Sequence, residues 1–423
     1  MTDMAERGSA GSGGGRGRGL DVEAVFRPGA PEFTADPYPA YAELRAAGRL
    51  HRYEPTRQWL VPRHEDVTAL LRDRRLGRTY LHRYTHDEFG RTPPPPDHEP
   101  FHLLNDNGLL DLEAPRHTRI RRLVSKAFTP RTVEGLRGYV DGLAARLVAG
   151  LVADGGGDLV ARIAEPLPVA VIAEMLGIPE GDRAPLRPWS ADICGMYELN
   201  PSEDTAARAV RASLEFTAYL QELIAERRKE PGEDLVSALI AAHDEGDRLS
   251  EQEMISTCVL LLNAGHEATV NTTGNGWLAL HRHPGQLAAL RADPSLLSTA
   301  VEEIMRYDTP LHLFERWVLE DIEIAGTVLP RGSEVALLFG SANRDENAFD
   351  APDTFDVTRP VNPHVSLGGG IHYCLGAPLA RIELAAVFRE LLAQAPGLRL
   401  ATDPPPRKPG YVIRGFAELP VEL

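Results

Sequence analysis

Apolar positions recur mostly with helical spacing along this chain, and the spacing predicts a mainly α protein with small β-sheets. After a proline turn a short helix is expected over 36–45, then a strand over 58–62 and a helix over 63–71. Helices are expected over 118–128, 133–151, 163–176 and 206–228. Ser250-Glu-Gln-Glu253 has the form of a capping box and opens a long apolar helix that ends near 281, before His283-Pro284. Asp293-Pro-Ser caps the helix that carries Val301-Glu-Glu-Ile-Met-Arg306, and a further helix follows Ala377 with a proline in its first turn. Residues 316–339 alternate in strand fashion around turns at Ala325-Gly326 and Pro330-Arg-Gly332, and 411–416 reads as one more strand or hairpin. Between 80 and 112, around Pro93–Pro96, periodicity is lost, which marks a functional or mobile loop. Residues 1–20 are rich in Gly, Ser and Arg and read as a disordered tail, leaving 21–423 as a single domain.

Composition narrows the function. The formal net charge is −16, from 45 Lys and Arg against 61 Asp and Glu, which argues against non-specific nucleic-acid binding. Cys194, Cys258 and Cys374 are odd in number and widely spaced, as suits a reduced, cytoplasmic setting. No apolar run of membrane-spanning length and no apolar signal core is present, so no membrane association is expected.

Chemistry concentrates in Leu367-Gly-Gly-Gly-Ile-His-Tyr-Cys374-Leu-Gly-Ala-Pro-Leu-Ala-Arg381. Gly368 to Gly370 free the backbone for conformations closed to other residues and for close approach to a flat or bulky group. Cys374 precedes a helix start, whose free N–H groups favour a thiolate able to act as metal ligand or nucleophile. A buried structural cysteine is the plainer alternative. The segment resembles the haem-binding loop of cytochrome P450 monooxygenases, Phe-Gly-x-Gly-x-(His/Arg)-x-Cys-x-Gly, with Leu367 where Phe is usual. The resemblance runs from about residue 36 to the C-terminus and is strongest after Ser250. It implies haem b held by the Cys374 thiolate, with Gly368 and Gly370 cradling it.

Further motifs stand in the order this family has them. Within the long helix, Asn263-Ala264-Gly265-His266-Glu267-Ala268-Thr269 sets polar and helix-weakening residues in an apolar context, a departure from local rules that hints at function. It is similar to the family's oxygen-activation segment, Ala/Gly-Gly-x-(Asp/Glu)-Thr. Ala264 and Gly265 open it, Glu267 stands at the acid position, and Ala268 stands where the alcohol is usual. Thr269 comes one residue late, a rotation of about 100°. In the family the acid and alcohol help deliver protons during oxygen activation, so a substrate hydroxyl, an ordered water or Thr269 must take over here. Glu303 and Arg306, three apart on a helix, would on their own be an ordinary ion pair; they resemble the family's structural Glu-x-x-Arg pair. Thr354 stands where its third member is often Arg, and Arg359 is the candidate substitute. His117 and Arg121, four apart, with Arg316 and His372, match positions that bind the haem propionates. For substrate, the resemblance points to the 80–112 loop, the 185–205 region, Asn263 and Ala264, the segment with Leu311, Leu313 and Phe314, and the C-terminal turn at Phe416. Asn263 reads equally as a polar anchor or as an amide bonded to its own helix.

The resemblance implies a monooxygenase that hydroxylates or epoxidises a small natural-product substrate with O2. Electrons would come from a ferredoxin and ferredoxin reductase, docked on a basic patch of Arg119, Arg121, Arg122 and Lys126. Two alternatives are oxidative coupling or ring formation without oxygen insertion, which Ala268 keeps open, and a non-catalytic haem protein that binds a small ligand. The Arg-Pro pair of peroxide-using members is absent from 265–270.

Overall fold

The long apolar helix organises the molecule. The computed structural model describes residues 20–244 and 246–423; the tail expected over 1–20 lies, but for Leu20, outside them. The helix spans Glu251–Arg282, 32 residues, and starts as the capping box predicts. Ser250 Oγ accepts from the Glu253 N–H at 3.2 Å, and Glu253 Oε2 accepts from the Ser250 N–H at 2.9 Å. Helices Pro166–Leu176, Leu186–Cys194, Glu203–Lys229, Leu297–Tyr307 and Ala377–Gln394 pack around it, and the main apolar core forms between them. Within this core, Thr272 and Thr273 donate to the carbonyls of Ala268 and Thr269 at 2.7 and 2.9 Å, and Asn271 Nδ2 donates to that of Glu267 at 2.8 Å. Such bonds to the preceding turn satisfy polar side chains without leaving the helix.

Beside the helical body lies a five-stranded sheet, in the order His51–Tyr53, Gln58–Val61, Glu334–Leu337, Phe314–Val318 and Leu76–Gly77. Glu334–Leu337 runs parallel to Gln58–Val61 and antiparallel to Phe314–Val318. Pairing Ala336 with Glu315 and Val335 with Arg316 fixes where Arg316 leaves the sheet. A smaller sheet joins Arg399–Leu400, Pro420–Glu422 and Gly156–Asp158.

Several elements differ from the sequence pattern. The 80–112 loop contains the helix Glu99–Asn105, whose apolar face is only Phe101 and Leu104. The helix expected over 133–151 is two, Pro130–Gly135 and Arg137–Ala153, meeting at Leu136. The 163–176 helix starts afresh at Pro166, because prolines lack the N–H an uninterrupted helix needs. Residues 411–416 are not a strand. The N–H groups of Tyr411, Val412 and Ile413 all donate to the Glu198 carboxylate, at 3.0, 3.2 and 3.2 Å, which leaves only isolated bridges Leu311–Ile413 and Arg407–Phe416.

Candidate functional site

The Cys374 loop packs on the helix His64–Leu70 side of the sheet through its glycines. Gly368 and Gly370 have φ of +70° and +65°, where a side chain is strained. A Cβ on Gly370 would lie 2.3 Å from the Leu71 carbonyl oxygen. The loop closes when the Cys374 N–H donates to the Leu367 carbonyl at 3.0 Å, and Gly376 then caps the helix Ala377–Gln394. The N–H groups of Gly376 and Ala377 and the charge of Arg121 favour a thiolate, but burial outweighs them and pushes the Cys374 thiol up. The helix-start amides thus act in the expected direction, against a larger effect of burial. A bound metal cation ionises the thiol, since a coordinating thiol is deprotonated outright.

Next to the loop is a buried cluster with more donors than acceptors. His117 is 2% exposed and both its ring nitrogens lack a partner. Its ring centre is 4.6 Å from that of His372, and burial, with His372 and Arg121 nearby, pulls its pKa down to about 4. Arg316 is 3% exposed, with Nη1 on the Glu315 carbonyl at 2.9 Å and Nη2 unpartnered. Burial, then the charge of Arg78, lowers its pKa to about 9. The guanidinium groups of Arg78 and Arg316 stand 4.4 and 4.6 Å from the Phe314 ring centre, and Arg78 Nε is also unpartnered. Against these stands Glu113, which is 3.1 Å from His372 Nε2 and accepts the Arg78 N–H at 2.8 Å. Arg121 donates to the Tyr373 carbonyl at 2.9 Å. Buried donors without acceptors are costly unless a ligand supplies them. A cofactor with two carboxylates beside a thiolate-bound metal fits this arrangement, and haem is such a group.

On the other side of the long helix's polar run, Ala264 and Ala268 are exposed while Asn263, His266 and Thr269 are buried. Spaced four apart, the two alanines form one small-residue face. Gly265 serves packing as well: a Cβ there would meet Ile172 at 3.0 Å. The Glu267 carboxylate is turned away, accepting from Lys408 Nζ at 3.3 Å and Asn271 Nδ2 at 3.2 Å. Thr269 lies beside the Glu383 carboxyl and favours its ionised form, an effect smaller than that of burial. Glu383 is 2% exposed, Oε1 has no partner, and burial raises its pKa to about 8.

Glu303, Arg306 and Arg359 form a second buried cluster. Arg306 Nε and Nη2 each donate to Glu303 at 2.7 Å, Arg359 Nε donates to it at 3.1 Å, and the Asp356 N–H at 2.9 Å. Arg306 Nη1 donates to the carbonyls of Asn343 and Pro352. Thr354 offers its backbone carbonyl to Arg306 Nη2 and Arg359 Nη2, at 3.1 and 3.2 Å.

Two candidate substrate contacts are corrected. Leu313 is 1% exposed within an apolar cluster with Tyr41 and Leu338. Phe416 is also 1% exposed, wedged between Gly274 and the Arg407 guanidinium. Leu311 is half-buried at its bridge to Ile413, and Phe314 carries the cation stack described above. The expected basic patch is largely neutralised: Arg119 pairs with Asp247 and Glu253, and Arg122 and Lys126 with Asp244. Sequence pattern missed Arg78, Glu113 and Glu383; each is an isolated polar residue in an apolar or irregular stretch, and only the fold brings them to the site.

A family model described as cytochrome P450 matches residues 196–394. Cytochrome P450 monooxygenase PikC of Streptomyces venezuelae is 41% identical over 411 residues, 95% of this chain and 94% of its own length. Polyketide biosynthesis cytochrome P450 PksS of Bacillus subtilis is 36% identical over 409 residues, covering 94% of this chain and 98% of the relative. The crystal structure of P450BioI in complex with a hexadec-9Z-enoic acid ligated acyl carrier protein is 36% identical and superposes with a TM-score of 0.86, over 93% of this chain and all of that one.

Proposed function

The chain belongs to the cytochrome P450 family and is a haem-thiolate monooxygenase, and on that premise we propose that it hydroxylates or epoxidises a small natural-product substrate with electrons from a ferredoxin and its reductase. Haem held by Cys374 supplies activation of O2 by two electrons and two protons, one oxygen atom going to the substrate and the other to water. His117, Arg121, Arg316 and His372 hold its propionates; the unpartnered nitrogens of His117 and Arg316 in one buried place carry this assignment. Glu303, Arg306 and Arg359 brace the loop from behind. Residues 21–423 act as one haem domain. Three free cysteines suit a cytoplasmic setting, and among the described residues no helix is long and apolar enough to cross a membrane.

Proton supply follows from the Ala268 methyl, which cannot donate a hydrogen bond. Burial keeps a proton on the Glu383 carboxyl beside Thr269 at neutral pH, while Lys408 tethers Glu267. A substrate hydroxyl or carbonyl orders water over the Ala268 face. The natural-product class is supported by PksS, whose name places it in polyketide biosynthesis. Ala268 also favours a second reading, oxidative coupling or ring closure.

Carbon monoxide added to the reduced protein is expected to give the red-shifted band of thiolate ligation, lost in Cys374→Ala and kept in Cys194→Ala and Cys258→Ala. With surrogate ferredoxin and reductase, a product heavier by one oxygen supports oxygenation. Loss of two hydrogens supports the coupling reading, and NAD(P)H use with no product from any substrate that shifts the haem spectrum overturns both.

A further inference from the structure

Glu315 and Glu334 meet on one face of the five-stranded sheet. Side chains alternate across a strand, so Phe314–Val318 sends Phe314 and Arg316 to one face and Glu315 and Trp317 to the other. Glu334 pairs with both Trp317 and Gln58, which puts all three on the Glu315 face. The Thr56 hydroxyl donates to Gln58 Oε1 at 2.8 Å, which turns Gln58 Nε2 toward the carboxyl groups. That one nitrogen donates to Glu315 Oε1 at 2.7 Å and to Glu334 Oε1 at 3.1 Å. The two oxygens are therefore no more than about 6 Å apart, a range in which like charges disfavour each other's ionisation. Both residues are half-buried. Arg91 stands 4.4 Å from the Trp317 ring centre and donates to the Gly332 carbonyl at 3.0 Å. Arg78 Nη1 donates to the Glu315 carbonyl at 3.1 Å. Tyr53, opposite Gln58, and His51 share the face, and burial favours the neutral form of both. Burial, and then the Glu315 charge, raise the Glu334 carboxyl to about 7; the Gln58 amide, Arg91 and Arg78 act the other way.

Arg78 connects this pair to the propionate cluster. Its guanidinium and that of Arg316 stand 4.4 and 4.6 Å from the Phe314 ring centre. We propose that Glu315 and Glu334 share one proton, and that its release to solvent near neutral pH places a negative charge beside Arg78 that makes the haem harder to reduce. This rests on the haem-thiolate reading above. Only a proton moves, between the carboxyl pair and water. The charge it leaves offsets part of the positive field of Arg78 and favours the oxidised iron. The coupling is reciprocal: reduction of the haem draws the proton back onto the pair. The sheet thereby carries a pH-sensitive control on electron supply, built from residues that touch neither substrate nor iron.

The test is spectroelectrochemistry of the haem-loaded protein at a series of pH values. At a fixed applied potential, the ratio of reduced to oxidised haem is expected to fall about two- to fivefold as pH rises from 6 to 8, the scale of one screened charge. Glu334→Gln should abolish this step. Glu315→Gln removes the neighbouring charge and should move the step to lower pH, which separates a shared proton from burial of Glu334 alone and serves as the test if the Glu334 variant does not fold. An infrared difference spectrum between the same two pH values reads the proton itself: a carboxylic C=O band is expected that Glu334→Gln loses and Glu383→Gln keeps. No step in the wild-type protein, or a step that Glu334→Gln or Glu315→Gln leaves unchanged, overturns the inference and leaves the haem reading intact. Absence of the carbon monoxide band of thiolate ligation overturns both.

Discussion

Two buried polar clusters flank the Cys374 loop, and they differ in one respect. Around Glu303 every charge is answered: each carboxylate oxygen has at least two donors, and Arg306 spends its nitrogens on Glu303 and backbone carbonyls. Around His117 and Arg316 the donors exceed the acceptors, and nitrogens on both residues are left over. Both clusters consist of residues that sequence reasoning paired with the same cofactor. Completeness separates scaffold from site: a saturated network holds the chain together, and an unsaturated one waits for a ligand.

The largest expected effect breaks the saturated cluster. Glu303→Ala would leave the guanidinium groups of Arg306 and Arg359 buried without their carboxylate, at roughly 3–5 kcal/mol of folding stability. Denaturant unfolding should show the loss with or without haem. Arg316→Leu tests the contrast. It removes an already unpaired buried charge, so the haem-free chain should be as stable as wild type or more so, while haem retention falls. A lost charge-assisted contact of about 1.5–3 kcal/mol corresponds to roughly 10–100-fold faster haem loss to an acceptor protein. Equal destabilisation of both variants in the haem-free state would erase the distinction.

The same distinction explains what the sequence could tell. Ser250-Glu-Gln-Glu253, the long helix and the Cys374 loop were legible because their signals are local: a cap, a period, a run of glycines. The role of Asn263 was left open because its neighbours Tyr197 and Asn105 lie in segments of little periodicity. Leu313 and Phe416 were misplaced because a position along the chain does not say which side of the fold a side chain enters. Of the strand or hairpin expected over 411–416, the strand failed on one distant carboxylate, Glu198, which takes the N–H groups of 411–413, while the chain folds back through the Arg407–Phe416 bridge.

Glu383 sharpens the comparison from within the core. Its carboxyl titrates near pH 8 in the folded protein against an ordinary 4.5. Folding therefore retains a proton that the unfolded chain releases above about pH 4.5. The contribution of the protonated group is full below that pH and is lost as pH rises through about 8. Glu383→Gln should then leave stability unchanged at acid pH and raise it at pH 8, by roughly 1–3 kcal/mol. If Glu383 is the proton holder behind Thr269, the same variant lowers product formed per NAD(P)H, a readout that packing alone does not move.

Ala268→Thr places a hydroxyl on the face that has none. With substrates that carry no polar group near the reacting carbon, product per NAD(P)H should rise about two- to fivefold, the scale of one neutral hydrogen bond of about 0.5–1 kcal/mol. With the true substrate the ratio should stay level or fall, because the added methyl and hydroxyl crowd a water the substrate already orders. An unchanged ratio across every analogue would place the proton path wholly on Thr269 and Glu383.

The smallest effect concerns the electron donor. On the Arg116–Ala127 helix, Arg119, Arg122 and Lys126 are already satisfied by Asp244, Asp247 and Glu253, so an approaching acidic ferredoxin meets a nearly neutral surface there. Arg122 is 53% exposed along its side chain and Lys126 46%, and exposed pairs of this kind contribute about 0–1 kcal/mol. Attraction to the donor would have to break these pairs to use the cations, which offsets most of what it gains. Reduction by ferredoxin should therefore slow less than about threefold between low and physiological salt, and Arg122→Ala should change the rate by less than about twofold. Asp244→Asn gives the sharper reading. It frees Arg122 and Lys126 together, so it should raise both the rate and its salt dependence if the donor docks on this helix. A steep salt dependence in the wild-type protein that Asp244→Asn leaves untouched would move the docking face elsewhere.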